Sequence, residues 1–79
     1  MTTRAVNGAA VKVIREALGI SQRDLAARCA ISQGSLSNVE RGVNGASPEL
    51  SRKIADAMGV PLESVTYPVA APEPVAAAS

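Results

Sequence analysis

The side chains of this sequence best equipped for chemistry sit close together, in the run Gln33-Gly34-Ser35-Leu36-Ser37-Asn38. Each amide, Gln33 and Asn38, carries a donor and an acceptor side by side, the pattern that pairs bidentately with N6 and N7 of adenine. The Ser37 hydroxyl can donate or accept and so suits either kind of base. Gly34 adds no side chain and lets a backbone approach closely. Catalysis is poorly served by comparison. There is no His, no glycine loop able to cradle a phosphate, and no carboxylate pair beside a plausible nucleophile. The lone Cys29 has no second Cys and no His with which to build a zinc site or an internal disulfide, and it reads as a small core residue. No cofactor, metal or small-molecule ligand is expected.

Amides and hydroxyls at this spacing act on a partner only if a rigid element carries them outward. With 79 residues, one Tyr and no Trp or Phe, a single small domain must be built from Ala, Val, Leu, Ile and Met. That favours short close-packed helices, and an all-α fold of four to five helices is expected. Ala10, Ile14, Ala17 and Leu18 share one face of a first helix ending at Gly19, with its start unresolved between Thr2 and Asn7 because Gly8 weakens the first turn. Ser21, with Asp24 three residues on, caps a second helix of about two turns striped by Leu25, Ala26 and Cys29. Ser32 caps a third, Gln33 to Arg41, with Leu36 and Val39 facing inward and Gly42 ending it. Ser47 and Pro48 open a fourth, whose stripe is Leu50, Ile54, Ala55 and Met58 before Gly59. Leu62 and Val65 then fold back on the core. From Thr66 to Ser79, three prolines and a run of Ala and Val predict a disordered tail, so the folded domain is expected over residues 1–65.

Charge is unevenly spread although the net is only +1. Residues 1–47 carry six basic side chains against three acidic, and the remainder two against four. A basic front half is compatible with a polyanion. The amino end lacks the apolar run of a secretory leader, and no segment approaches the roughly 20 apolar residues of a membrane span. The expectation is a protein of the cytoplasm, in a bacterial cell or a phage-infected host, with no membrane partner.

Two very short helices joined by a tight turn, neither stable alone, present the second of the pair outward. Ser21 to Gly42, SQRDLAARCAISQGSLSNVERG, resembles the helix-turn-helix of the lambda-repressor-like (Cro/CI-type, XRE-type) DNA-binding family, over roughly Val11 to Val65. The likeness rests on Gln22 opening the first motif helix, Leu25 and Ala26 at the buried and small positions, Ile31, Leu36 and Val39 in the other core slots, and the ending Glu40-Arg41-Gly42. One departure is Ala30, where the family commonly places Gly in a left-handed turn; Ala there should cost roughly 1 kcal/mol.

The resemblance implies sequence-specific binding of double-stranded DNA, as a phage-type repressor, an autoregulatory antitoxin or another regulator. It gives Gln33, Gly34, Ser37 and Asn38 to base edges in the major groove. Gln22 falls to a phosphate at a helix amino end, with Arg23, Ser35, Arg41, Asn44 and Ser47 as further phosphate contacts. Arg15 and Glu40 fall where the family pairs an arginine with a glutamate, a structural ion pair. A homodimer on an inverted repeat is implied, with half-sites about one helical turn apart; Leu62, Val65 and Tyr67 are candidates for its contact. The alternative is a protein-interaction module of the same fold, an anti-repressor or regulatory subunit that does not read DNA.

Overall fold

Every α-helix begins at a side chain that accepts the third following backbone N–H. In the computed structural model, which describes residues 2–70, Asn7 caps α1 (Gly8–Ala17), Ser21 caps α2 (Gln22–Arg28), Ser32 caps α3 (Gln33–Glu40) and Ser47 caps α4 (Pro48–Met58), with N–H to oxygen distances of 3.0–3.1 Å. Each cap satisfies one of the donors a helix start leaves open, and replacing one by Ala costs about 1 kcal/mol. A 3-10 turn, Leu62–Ser64, follows α4.

The core holds Val11, Leu25, Ala26, Cys29, Leu36, Val39, Ile54, Ala55, Met58 and Val65. All four α-helices and the turn after α4 contribute, so no helix pair is stable by itself. On α1 the buried residues are Val11 and Arg15, whereas Ala17 is exposed and Leu18 is half exposed. Of the expected face, Ile14 packs against the core and Ala10 is half-buried, but Val11 and Arg15 are the more deeply buried and Ala17 and Leu18 turn outward. Val65 is fully buried and Leu62 packs against the core, so both close the monomer, while Tyr67 remains about half exposed. Burial pushes the Cys29 thiol above its ordinary value, and the charge of Lys53 acts against it.

Between α2 and α3 the chain turns in four residues. Cys29 ends α2, Ala30 takes φ 59°, and Ile31 N–H reaches back to Ala26 O at 3.0 Å. The left-handed position wanted by this turn is thus occupied by a residue with a Cβ, which L-residues resist by about 1–2 kcal/mol. Ala30→Gly removes that strain but adds unfolded-chain entropy. The net expectation is a gain of up to about 1 kcal/mol, read as a rise in thermal midpoint of roughly 4–8 °C at the upper end.

The four α-helices and the short 3-10 turn answer the helical expectation, but a two-stranded sheet is added to them. Strand β1 (Thr2–Val6) pairs antiparallel with β2 (Thr66–Ala70), in the register Val6 with Thr66 and Arg4 with Pro68. The start of α1 is accordingly Gly8, with residues 2–6 extended before it. A disordered tail from Thr66 is also corrected for Thr66–Ala70; the rest of that expectation, residues 71–79, lies outside the described residues. Pro68 is compatible with the strand because only one of its two possible orientations breaks a ladder. Asn7 N–H donates to Val65 O at 2.7 Å in the same register. In antiparallel alternation this places 5 with 67 and 3 with 69 in mutually bonded positions and turns the Pro68 nitrogen to the open edge, where its missing N–H costs nothing. Thr66 is buried; its Oγ1 accepts from Arg4 Nε at 2.7 Å and donates to Leu62 O at 2.8 Å. Deleting residues 66–79 is therefore expected to lower the melting midpoint by at least about 5 °C, checked by circular dichroism against the full chain.

The other close approach in the fold is between α1 and α3. A Cβ placed on Gly8 would overlap the Val39 carbonyl oxygen and would lie 3.0 Å from Val39 C and 3.1 Å from Glu40 Cα. Glycine at the first position of α1 is what allows its backbone to rest on the last turn of α3.

Candidate nucleic-acid interface

Helix α3 divides cleanly. Leu36, Val39 and Glu40 are buried, while Gln33, Gly34 and Ser35 are exposed and Ser37 and Asn38 half-buried. Gln33 and Ser37 stand one turn apart, as do Gly34 and Asn38, so these four form one outward stripe that Arg41 extends. The four residues expected at base edges thus share a single face.

That face is tied to the interior by a chain of polar contacts. Arg15 Nε donates to Glu40 Oε2 at 2.7 Å and Arg15 Nη2 to Glu40 Oε1 at 3.1 Å, a bidentate pair in which both residues are less than a tenth exposed. Arg15 Nη1 also donates to Ile20 O at 2.9 Å. The bond to Glu40 raises the Arg15 pKa above its ordinary value; burial opposes this, and the charges of Glu40 and Glu16 add to it. Gln22 Nε2 then donates to Glu40 Oε1 at 3.2 Å, and Gln33 Nε2 donates to Gln22 Oε1 at 3.3 Å. The ion pair that joins α1 to α3 therefore orients, through Gln22, the first side chain of the exposed stripe.

Counting donors shows what this leaves available. An amide NH2 has two hydrogens and its carbonyl two lone pairs. After bonding Gln22, Gln33 keeps its whole carbonyl and one N–H, so it still has both a donor and an acceptor to offer a base. Gln22 retains one N–H at the amino end of α2, beside the exposed Arg23. Asn38 is differently placed: its Oδ1 accepts from Arg41 Nη2 at 2.6 Å, so its free group is chiefly the Nδ2 donor.

The remaining expected residues flank the stripe. Ser35 accepts a bond from the Ser32 hydroxyl at 2.8 Å and keeps its own hydrogen. Asn44 lies on the exposed loop after α3, anchored by its N–H and that of Val43 to Asn38 O at 3.3 and 2.9 Å. Ser47 is exposed, with its oxygen engaged as the α4 cap and its hydrogen available. Arg28 is exposed but donates to Ala57 O at 3.1 Å, pinning α2 to α4. Sequence reasoning missed Gly8 as the spacer between α1 and α3, and it missed the Gln22–Gln33 contact. For the second a signal was present, since both amides occupy first positions of consecutive capped helices.

Among the described residues no cluster of His, Cys, Asp and Glu could hold a metal ion, and no helix is long and apolar enough to cross a membrane.

Comparison with known proteins agrees with this geometry. Two crystal structures of the clp gene regulator ClgR from Corynebacterium glutamicum match at 36% identity over 70% of this chain, with TM-scores of 0.69 and 0.68. The chain spans 58% of the first of these and 71% of the second. The restriction-modification controller protein C.AhdI from Aeromonas hydrophila matches at 28% identity over 72% of this chain and 86% of its own, with a TM-score of 0.70. No curated protein sequence matches. Residues 11–65, which run from α1 to the end of the core, match the helix-turn-helix family, and the chain belongs to that family.

Proposed function

We propose that this protein regulates transcription by binding duplex DNA sequence-specifically, with α3 in the major groove. Gln33, Gly34, Ser37 and Asn38 face the bases, and Gln22, Arg23, Ser35, Arg41, Asn44 and Ser47 hold the flanking phosphates. The observation carrying this reading is the Gln33 amide: it is exposed, oriented through Gln22 by a buried ion pair, and still owns the donor and acceptor a base requires. Preorganisation of this kind lowers the ordering cost of binding. Proteins of similar fold and sequence include a gene regulator and a restriction-modification controller, which supports a regulatory role. The fuller reading is a repressor acting as a homodimer on an inverted repeat. Among the residues expected at that contact, only Tyr67 keeps substantial exposed surface.

Selection of bound duplexes from a random pool tests activity, site and half-site spacing together. A retained motif whose affinity falls roughly a thousandfold between 50 and 200 mM salt is expected for a groove binder with six or more phosphate contacts. Failure to enrich any duplex overturns the reading in favour of a protein-interaction module. On the selected site, Gln33→Ala should relax preference at one base position by about 1–3 kcal/mol. Its thermal midpoint should barely move, because the side chain is exposed. Specificity is checked by competition among single-base variants, and a large loss of stability would contradict the reader role.

A further inference from the structure

Away from α3, the sheet and the start of α4 enclose a cleft of about 280 Å3 lined by Arg4, Pro48, Ser51, Arg52, Leu62 and Thr66. Four separate segments build it, which is why no motif in the sequence announces it. Its floor is largely apolar, supplied by Pro48, Leu62 and the hydrocarbon parts of the other residues. Three features of its polar groups point to a ligand. Ser51 is only 4% exposed and lines the cleft, and its hydroxyl has no hydrogen-bond partner among the described residues. Arg4 is held in place by Thr66, donating from Nε to Oγ1 at 2.7 Å and from Nη2 to the backbone oxygen at 3.2 Å. Arg4 and Arg52 both lack a carboxylate within 4 Å among the described residues. Two guanidinium groups without acidic partners, a spare hydroxyl and an apolar floor complement a molecule that is apolar at one end and anionic at the other.

We propose that this cleft binds a small carboxylic acid with an apolar body. The carboxylate meets Arg52 and Arg4, the Ser51 hydroxyl donates to it, and the hydrocarbon lies along Pro48 and Leu62. The size falls just below the roughly 300–1,000 Å3 usual for ligand sites, which suits a short chain or single ring. Such a ligand would bridge β1, β2 and α4. The site does not depend on the DNA-binding reading, since it shares no residue with the α3 stripe or with the proposed phosphate contacts.

The test is a titration of the full chain, followed by amide chemical shifts, with sodium octanoate, sodium acetate and 1-octanol as separate probes. Expected is saturable octanoate binding below about 1 mM, centred on Ser51, Arg52, Leu62 and Thr66. Acetate and octanol should each bind at least about tenfold more weakly, as losing either the apolar body or the charge-assisted bonds requires. Arg52→Gln, a change on exposed helix surface, and Ser51→Ala should each weaken octanoate while leaving the spectrum otherwise native. The proposal is overturned by shifts that do not saturate or centre elsewhere, by octanol binding as well as octanoate, or by Arg52→Gln leaving the affinity unchanged.

Discussion

Gly8→Ala is expected to destabilise the protein by about 3 kcal/mol or more, toward the upper end of what overpacking costs. The added methyl meets the Val39 carbonyl and the backbone of Glu40, atoms with no rotamer through which to yield. Relief requires α1 to lift from the last turn of α3, which draws Val11 out of the core and lengthens the Arg15–Glu40 bonds. For a chain of this size, whose whole stability is of order 5–10 kcal/mol, that is a large fraction. Gly34→Ala supplies the contrast on the same protein. Nothing lies within 4 Å of the site a Cβ would occupy there, and Ala in place of Gly in the first turn of a helix gains up to about 0.5 kcal/mol. Two identical changes should therefore move the denaturant midpoint in opposite directions, and a stable Gly8→Ala variant would show that the α1–α3 approach is looser than described.

The second large effect concerns Glu40. Glu40→Ala leaves the buried Arg15 guanidinium with the Ile20 carbonyl and, at 3.9 Å, the largely exposed Glu16 carboxylate, but without its bidentate partner, and removing one member of a buried pair costs about 3–5 kcal/mol. It also removes the acceptor of Gln22, and with it the support of Gln33. Stability and recognition then fall together, so a single variant cannot separate them. Replacing both residues, as Arg15→Met with Glu40→Met, can. An apolar pair of similar volume restores much of the lost stability, since the desolvation of two charges is no longer required. Gln22 remains without its anchor in that double variant. Equilibrium unfolding should accordingly show recovery while discrimination at the Gln33 base position stays impaired. Recovery of both would mean that Glu40 serves only the scaffold.

What could be read from the residues in order was mostly local. Ser21, Ser32 and Ser47 each bond an N–H three residues on, and Gly19, Gly42 and Gly59 each follow a helix in a left-handed turn, so boundaries were legible from short windows. The inward side of α3 was legible for the same reason, because Leu36 and Val39 have no other face to occupy. The inward side of α1 was legible only in part, at Ile14. Arg15 is buried only because Glu40, 25 residues away, receives it, and no periodicity of apolar residues contains that fact; its resemblance to a family pairing was the sole pointer. The sheet was hidden for a related reason. Thr2–Val6 and Thr66–Ala70 are each short and weakly apolar, and either alone reads as an unstructured end. The bidentate capacity of Gln33 followed from its chemistry, whereas its restraint by Gln22 depends on how closely α2 and α3 approach.

The pairing of β1 with β2 also bears on the order in which the molecule assembles. Arg4 and Thr66 are 62 residues apart, and closing so long a loop before the intervening segments collapse carries an entropy penalty with little to offset it. The helical motif, made of near neighbours, can organise first; the ribbon zips last and, under stress, parts first. Amide protons there are expected to exchange earliest from the native state, and those of α2 and α3 last, which native-state hydrogen exchange checks.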